Sequence, residues 1–152
     1  MNVGQYCKHA VVTVDAGASI SEASYVMRDE HVGFLVVVNE GDPARRPVGV
    51  LTDRDIVLQI IARDVSPASV TVADVMTAKP MIATQSDDLN DLMQAMRLAG
   101  IRRVPVVDSR GALTGVIAID DALVIVAGLL CDICGSIRNE QRQEWNARRG
   151  AC

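Results

Sequence analysis

Thr52-Asp-Arg-Asp55 is the stretch in which residue type and spacing could do chemistry. It follows a short apolar run, Val48 to Leu51, and precedes Ile56, Val57, Ile60 and Ile61, whose spacing predicts an amphipathic helix starting at Asp53 or Arg54. The start of such a helix aims backbone N–H groups and the positive end of its dipole into the space beyond the strand, where an anionic phosphate is stabilised. The Thr52 hydroxyl can donate to a phosphate oxygen. Asp55, one turn into the helix, only accepts, which suits the paired hydroxyls of a ribose. The same residue types also serve as a threonine cap and a carboxylate at a helix start, so this chemistry alone leaves a purely structural role open.

The corner occurs twice. Gly49 to Ile56, GVLTDRDI, returns as Gly115 to Ala122, GVIAIDDA, and the match extends upstream. Met27 matches Met96, Val32 matches Ile101, Val36 matches Pro105 and Asn39 matches Asp108 at an offset of 69, which drops to 66 at Gly49 and Gly115. A register held through helix, strand and turn marks a tandem duplication. The second corner departs from the first: Ala118 replaces the hydroxyl residue, Ile119 and Asp120 replace the polar pair, and only Asp121 stays in register. Phosphate binding is expected to be weaker there, with the site empty or reading a ribose alone.

Each half must position its corner with the same order of elements. In the first, Ala10 to Val14 reads as a strand. Ser19 with Glu22 forms the signature of a capping box for the helix carrying Ile20, Ala23, Tyr25, Val26 and Met27. Phe34 to Val38 reads as a strand buried on both faces, Asn39 to Pro47 as a loop, and Val48 to Thr52 as the strand leading to the corner. In the second, Met81 to Ala83, the helix with Leu89, Leu92, Met93 and Met96, Arg103 to Val107 and Leu113 to Ile119 repeat the order, with Gly100 ending the helix. Met1 to His9 shows little periodicity. The expected fold is α/β (α+β): two β-α-β-β-α repeats with pseudo-two-fold symmetry, spanning 1–66 and 67–130, followed by a helical or disordered tail over 131–152.

Composition bounds the function. With 152 residues, 49% hydrophobic and 22% charged, the chain can bury a core only if its two small halves pack as one unit. A formal net charge of -4 supplies no broad positive field, so nucleic acid is not an expected partner. No cationic stretch followed by an apolar one precedes Cys7, and a reducing cytoplasm without disulfides is expected for the four cysteines. The run Ala122 to Cys131 is too short to span a bilayer and reads as a buried helix, so no membrane is expected.

The repeated motifs resemble a pair of cystathionine-β-synthase (CBS) domains, the regulatory unit also called a Bateman module. The likeness rests on Gly33-Phe-Leu-Val-Val-Val38 with Gly49-Val-Leu-Thr-Asp-Arg-Asp55, and on Gly100-Ile-Arg-Arg-Val-Pro-Val-Val-Asp108 with Gly115-Val-Ile-Ala-Ile-Asp-Asp121, and covers roughly Val3 to Leu130. The resemblance implies a homodimeric regulatory module that binds an adenine nucleotide (AMP, ADP or ATP), performs no catalysis, requires no cofactor and signals to a regulated protein partner. It implies ribose-phosphate binding by Thr52 and Asp55. Arg102, Arg103 and Arg54 would reach phosphates, Asp121 would hold the vestigial second corner, and Val12, Val36, Val37, Pro105 and Ile119 would form aliphatic walls around the base. A module with no small ligand, and a binder of S-adenosylmethionine or NAD(H), remain alternatives.

Other features point away from chemistry. Cys131-Asp-Ile-Cys134 lacks a second pair or a histidine at zinc-like spacing and reads as core or interface cysteines. His9 and His31 support no metal or base, although the family often approaches the base near the position of His9. No Ser-His-Asp, paired-carboxylate or phosphate-loop pattern occurs. In the tail, Ile137, Gln141, Glu144 and Trp145 could lie on one helix face that docks on a partner subunit, or the segment could fray.

Overall fold

The N-terminal segment, without periodicity of its own, is built into the second repeat. A computed structural model describes residues 1–149, with side chains as far as Asn146; the last three positions of the tail predicted over 131–152 fall outside the described residues. Two units result, Met1–Ala118 and the segment from Ile119 onward, and each is described by itself.

In the first unit, β1 (Thr13–Asp15), α1 (Ile20–Asp29), β2 (Phe34–Val38), β3 (Gly49–Thr52) and α2 (Asp53–Gln59) form the first repeat. α3 (Val72–Val75) and β4 (Thr77–Ala78) follow, then β5 (Ala83–Thr84), α4 (Leu89–Ala99), β6 (Arg103–Val107) and β7 (Leu113–Ala118). The first sheet has the order β1-β2-β3-β4 and the second β5-β6-β7. In each, the leading strand runs parallel to the middle one and the next pair is antiparallel, as a β-α-β-β order requires. The predicted mixed α and β duplication is therefore the observed architecture. The leading strands are shorter than predicted. β1 begins at Thr13 rather than Ala10 and β5 at Ala83 rather than Met81.

Alternation along β2 explains the continuous apolar run. Leu35 and Val37 enter the first-repeat core with Val14, Ile20, Ala23, Met27, Leu51, Ile56, Ile60 and Val72, while Val36 points to the opposite face and is equally closed to solvent. Both faces of β2 are covered.

Each repeat is completed by chain from before the other. β4 pairs with β3, placing Thr77 opposite Val50, and the N-terminal segment mirrors this on β7, where Lys8 and Val116 exchange backbone hydrogen bonds of 2.8 and 2.9 Å. Val3 donates to Asp87 and Gly4 to Gln85. At the offset of 69, Val3 corresponds to Val72 and Cys7 to Met76; Val3 and Val72 are both fully buried. Gly49 and Gly115 lack a side chain for one reason: a Cβ at Gly49 would strike Met76, and one at Gly115 would strike Cys7.

Four hydroxyl-x-x-carboxylate pairs close turns in this unit: Ser19 with Glu22, Thr52 with Asp55, Thr71 with Asp74 and Thr84 with Asp87. The Ser19 N–H, then its hydroxyl, holds Glu22 below its ordinary value of 4.5. The hydroxyls of Thr71 and Thr84, then their N–H groups, hold Asp74 and Asp87 below 3.8. The N–H groups of Ala112 and Arg110 lower Asp108 likewise. A carboxylate whose folded pKa is depressed adds stability that is present above its unfolded value and is lost as pH falls through the folded one. Melting temperature is thus expected to be flat above about pH 5 and to fall below about pH 4. A circular dichroism melt series across that range checks it; an unchanged melt at pH 3 would contradict it.

In the second unit α5 runs unbroken over Ile119–Arg149. The run Ala122 to Cys131, expected to be buried, instead leaves Leu123, Val124, Val126, Leu129 and Leu130 exposed. Apolar composition shows that a helix wants cover; it does not show which surface supplies it. Among the described residues no helix is long and apolar enough to cross a membrane.

Candidate functional site

The first corner takes the capping geometry, one of the two roles its sequence leaves open. β3 ends at Thr52, which is extended at φ -114° and ψ 158° and caps α2. The Asp55 N–H donates to Thr52 Oγ1 at 3.1 Å, while the Thr52 hydroxyl and N–H donate to Asp55 Oδ2 at 2.7 and 2.9 Å. Thr52 and Asp55 are thus in contact and both half-buried, neither sealed inside nor on opposite sides. Asp55 spends one carboxylate oxygen on the cap, and Oδ1 is left with its acceptor capacity. The hydroxyl proton of Thr52 is committed to Asp55, so the corner combines the capping role with a remaining acceptor.

The first-turn N–H groups also have partners. That of Asp53 donates to the Gly33 carbonyl at 3.2 Å and that of Arg54 to Asp53 Oδ1 at 2.7 Å. The Asp53 carboxylate lies so close over Gly33 that a Cβ there would collide with it. Asp53 therefore holds, with its own negative charge, part of the position where a phosphate is stabilised. This role was not drawn from the sequence, although Gly33 before an apolar strand was a signal for close approach.

The sheets bring one cation of the second repeat, Arg103, beside a neighbour of this corner. Phe34 pairs with Thr52 across β2 and β3, and Arg103 pairs with Ala118 across β6 and β7. The Arg103 guanidinium lies 5.9 Å from the Phe34 ring centroid, within range of a cation–π contact. Phe34 and Arg103 are matched positions of the duplication, so the contact joins the two repeats through equivalent residues. The chain's single phenylalanine takes that position.

The remaining predicted residues fall around this line. Arg54 and Arg102 are exposed. Val36 is fully closed and Pro105 buried, on equivalent strands. Val12 packs at the edge of the first core and accepts a hydrogen bond from the Val36 N–H at 3.2 Å. Val37 faces the first core. Ile119 and Asp121 lie in the first turn of α5, in the second unit. His9 Nδ1 sits 2.9 Å from the Thr114 carbonyl. Among the described residues no group of three or more His, Cys, Asp or Glu could hold a metal ion. Cys131 and Cys134, read as core or interface residues, are exposed free thiols.

A family model described as the CBS domain matches the chain twice, over residues 3–62 and 72–128. An uncharacterized protein of Methanopyrus kandleri is 31% identical over 144 residues, which span 94% of this chain and 71% of that one. A solved CBS domain protein of Pyrobaculum aerophilum, complexed with AMP, aligns with a TM-score of 0.72 and 27% identity over 80% of this chain and 89% of its own. CBSX2, in complex with AMP, aligns with a TM-score of 0.68 and 25% identity over 86% of this chain and 98% of its own.

Proposed function

The chain belongs to the CBS domain family, and from that premise we propose that it is a non-catalytic regulatory module that binds one adenine nucleotide, AMP, ADP or ATP, at the first corner. One observation carries the reading: the Arg103 guanidinium of the second repeat meets Phe34 beside Thr52, so a cation flanks the corner whose carboxylate keeps an accepting oxygen. Asp55 Oδ1 accepts from the ribose hydroxyls. Arg103, with Arg102 beside it and Arg54 beside Asp55 in sequence, takes the phosphates through charge-assisted hydrogen bonds. Val12, Val36 and Pro105, all in the first unit, remain the proposed aliphatic surroundings of the base. The AMP complexes of two similar proteins support the ligand class.

The asymmetry of the repeats supports a single site per chain. The second corner has Ala118 in place of Thr52, and the position matching Arg103 is Phe34, so both its hydroxyl and its cation are missing. The nucleotide panel of AMP, ADP, ATP, S-adenosylmethionine and NADH, run by calorimetry, tests this. One equivalent of AMP, ADP or ATP bound per chain is expected, and silence from every compound would reject the reading. Loss of a hydrogen bond to a charged group costs about 1.5–3 kcal/mol. Arg103→Ala is therefore expected to weaken ATP binding roughly 10- to 150-fold while leaving adenosine binding unchanged. An equal loss for both compounds would place Arg103 away from the phosphates.

The reading includes a homodimer that passes a ligand-dependent tilt to a protein partner, in the reducing cytoplasm that free thiols suit. Val57 and Leu123 are matched positions, as are Leu58 and Val124, and all four are exposed, which supports a repeated apolar contact. A ligand-free interaction module is the second reading. It draws on the first-turn N–H groups of α2, which already have acceptors within the chain.

A further inference from the structure

The part of α5 beyond residue 128 lies outside the family match, yet its apolar stripe does not stop there. Leu123, Ala127, Leu130, Cys134, Ile137, Gln141 and Trp145 follow one another at steps of three or four, with Val126 and Ile133 alongside, and all are exposed. Steps of three and four put these side chains on one face of a helix about 46 Å long. Such a face wants a second helix of the same kind.

Charge selects the partner and its direction. Residues 119–133 carry three aspartates, Asp120, Asp121 and Asp132, and no cation; residues 134–149 carry four arginines against two glutamates. A parallel copy would set like charges side by side. An antiparallel copy sets the acidic start of each helix beside the basic end of the other, and opposes the two helix dipoles. The arrangement is self-complementary about a two-fold axis, as a closed dimer requires. We propose that α5 pairs antiparallel with α5 of a second copy of this chain, centred near Cys134, the midpoint of Ile119–Arg149. The pairing gives the homodimer named above its contact, and it rests on that reading for the number of copies alone.

Thiol cross-linking of the full chain tests it. In a chain with Cys131→Ser and Cys152→Ser, a short bismaleimide is expected to link two copies through Cys134, and adding Cys134→Ser is expected to abolish the product. A chain carrying Leu123→Cys, with those three cysteines replaced, is expected not to link to itself but to link when mixed with an equivalent chain carrying Trp145→Cys. No product through Cys134, or self-linking of the Leu123→Cys chain, would overturn the antiparallel pairing. The thermal shift with ATP is read on the same samples: cross-linking without a nucleotide response rejects the proposed ligand alone, and a nucleotide response without cross-linking rejects the helix pairing alone.

Discussion

Replacing Thr52 and Asp55 together by alanine is expected to abolish calorimetric binding of AMP and ATP. It removes the carboxylate oxygen left over for a ribose and frees the start of α2 from its cap. The variant also loses stability, because the two side chains satisfy each other's backbone: loss of an N-terminal cap costs about 0.5–2 kcal/mol. Loss of heat alone would then be ambiguous, and the chain contains its own control. Thr71 and Asp74 form the same reciprocal box, with Thr71 Oγ1 and N donating to Asp74 Oδ2, before a helix of another part of the first unit. Thr71→Ala with Asp74→Ala is expected to lower the melting temperature by a similar amount and to leave nucleotide binding intact. Equal binding by the two double variants would remove Thr52 and Asp55 from the site.

Removal of residues 1–8 is expected to have the largest effect on stability. The deletion strips fully buried Val3 and buried Cys7 from the second repeat, and leaves the carbonyls of Gln85 and Asp87 and both backbone groups of Val116 without partners. Lost burial and unpaired backbone groups together cost about 3–5 kcal/mol, a fall of roughly 6–20 °C in melting temperature for a chain of this size. Deleting an ordinary exposed terminus costs nothing measurable. A truncated chain that melts with the full one would show that the segment contributes no stability to the second repeat.

The two predictions differ in how legible their grounds were. The corner could be read because its signal is local: Thr52 and Asp55 are three residues apart, and one helical turn suffices to bring them together. The same locality made the signal ambiguous, since Ser19 with Glu22, Thr71 with Asp74 and Thr84 with Asp87 share it, each donating its N–H and hydroxyl to the carboxylate. The N-terminal segment could not be read from periodicity, because three residues of tight helical turn and single-residue bridges at Asn2 and Lys8 are too short to show a period. The offset of 69, carried back to Val3 and Cys7, would have found it.

What the sequence by itself determined is the duplication, the order of elements in each repeat, the buried faces of the strands and the residues of the first corner. All of these depend on periods of two and of three to four residues and on neighbours within one turn. Only the tertiary structure decided that Arg103 meets Phe34, that Asp53 closes over Gly33, and that each repeat is completed by chain preceding the other. It also left exposed the apolar run from Leu123, which composition had placed in a core. These outcomes depend on which of several apolar or charged surfaces come together across long stretches of chain. Hydrophobic burial is non-directional, so it rewards any such cover and does not name one.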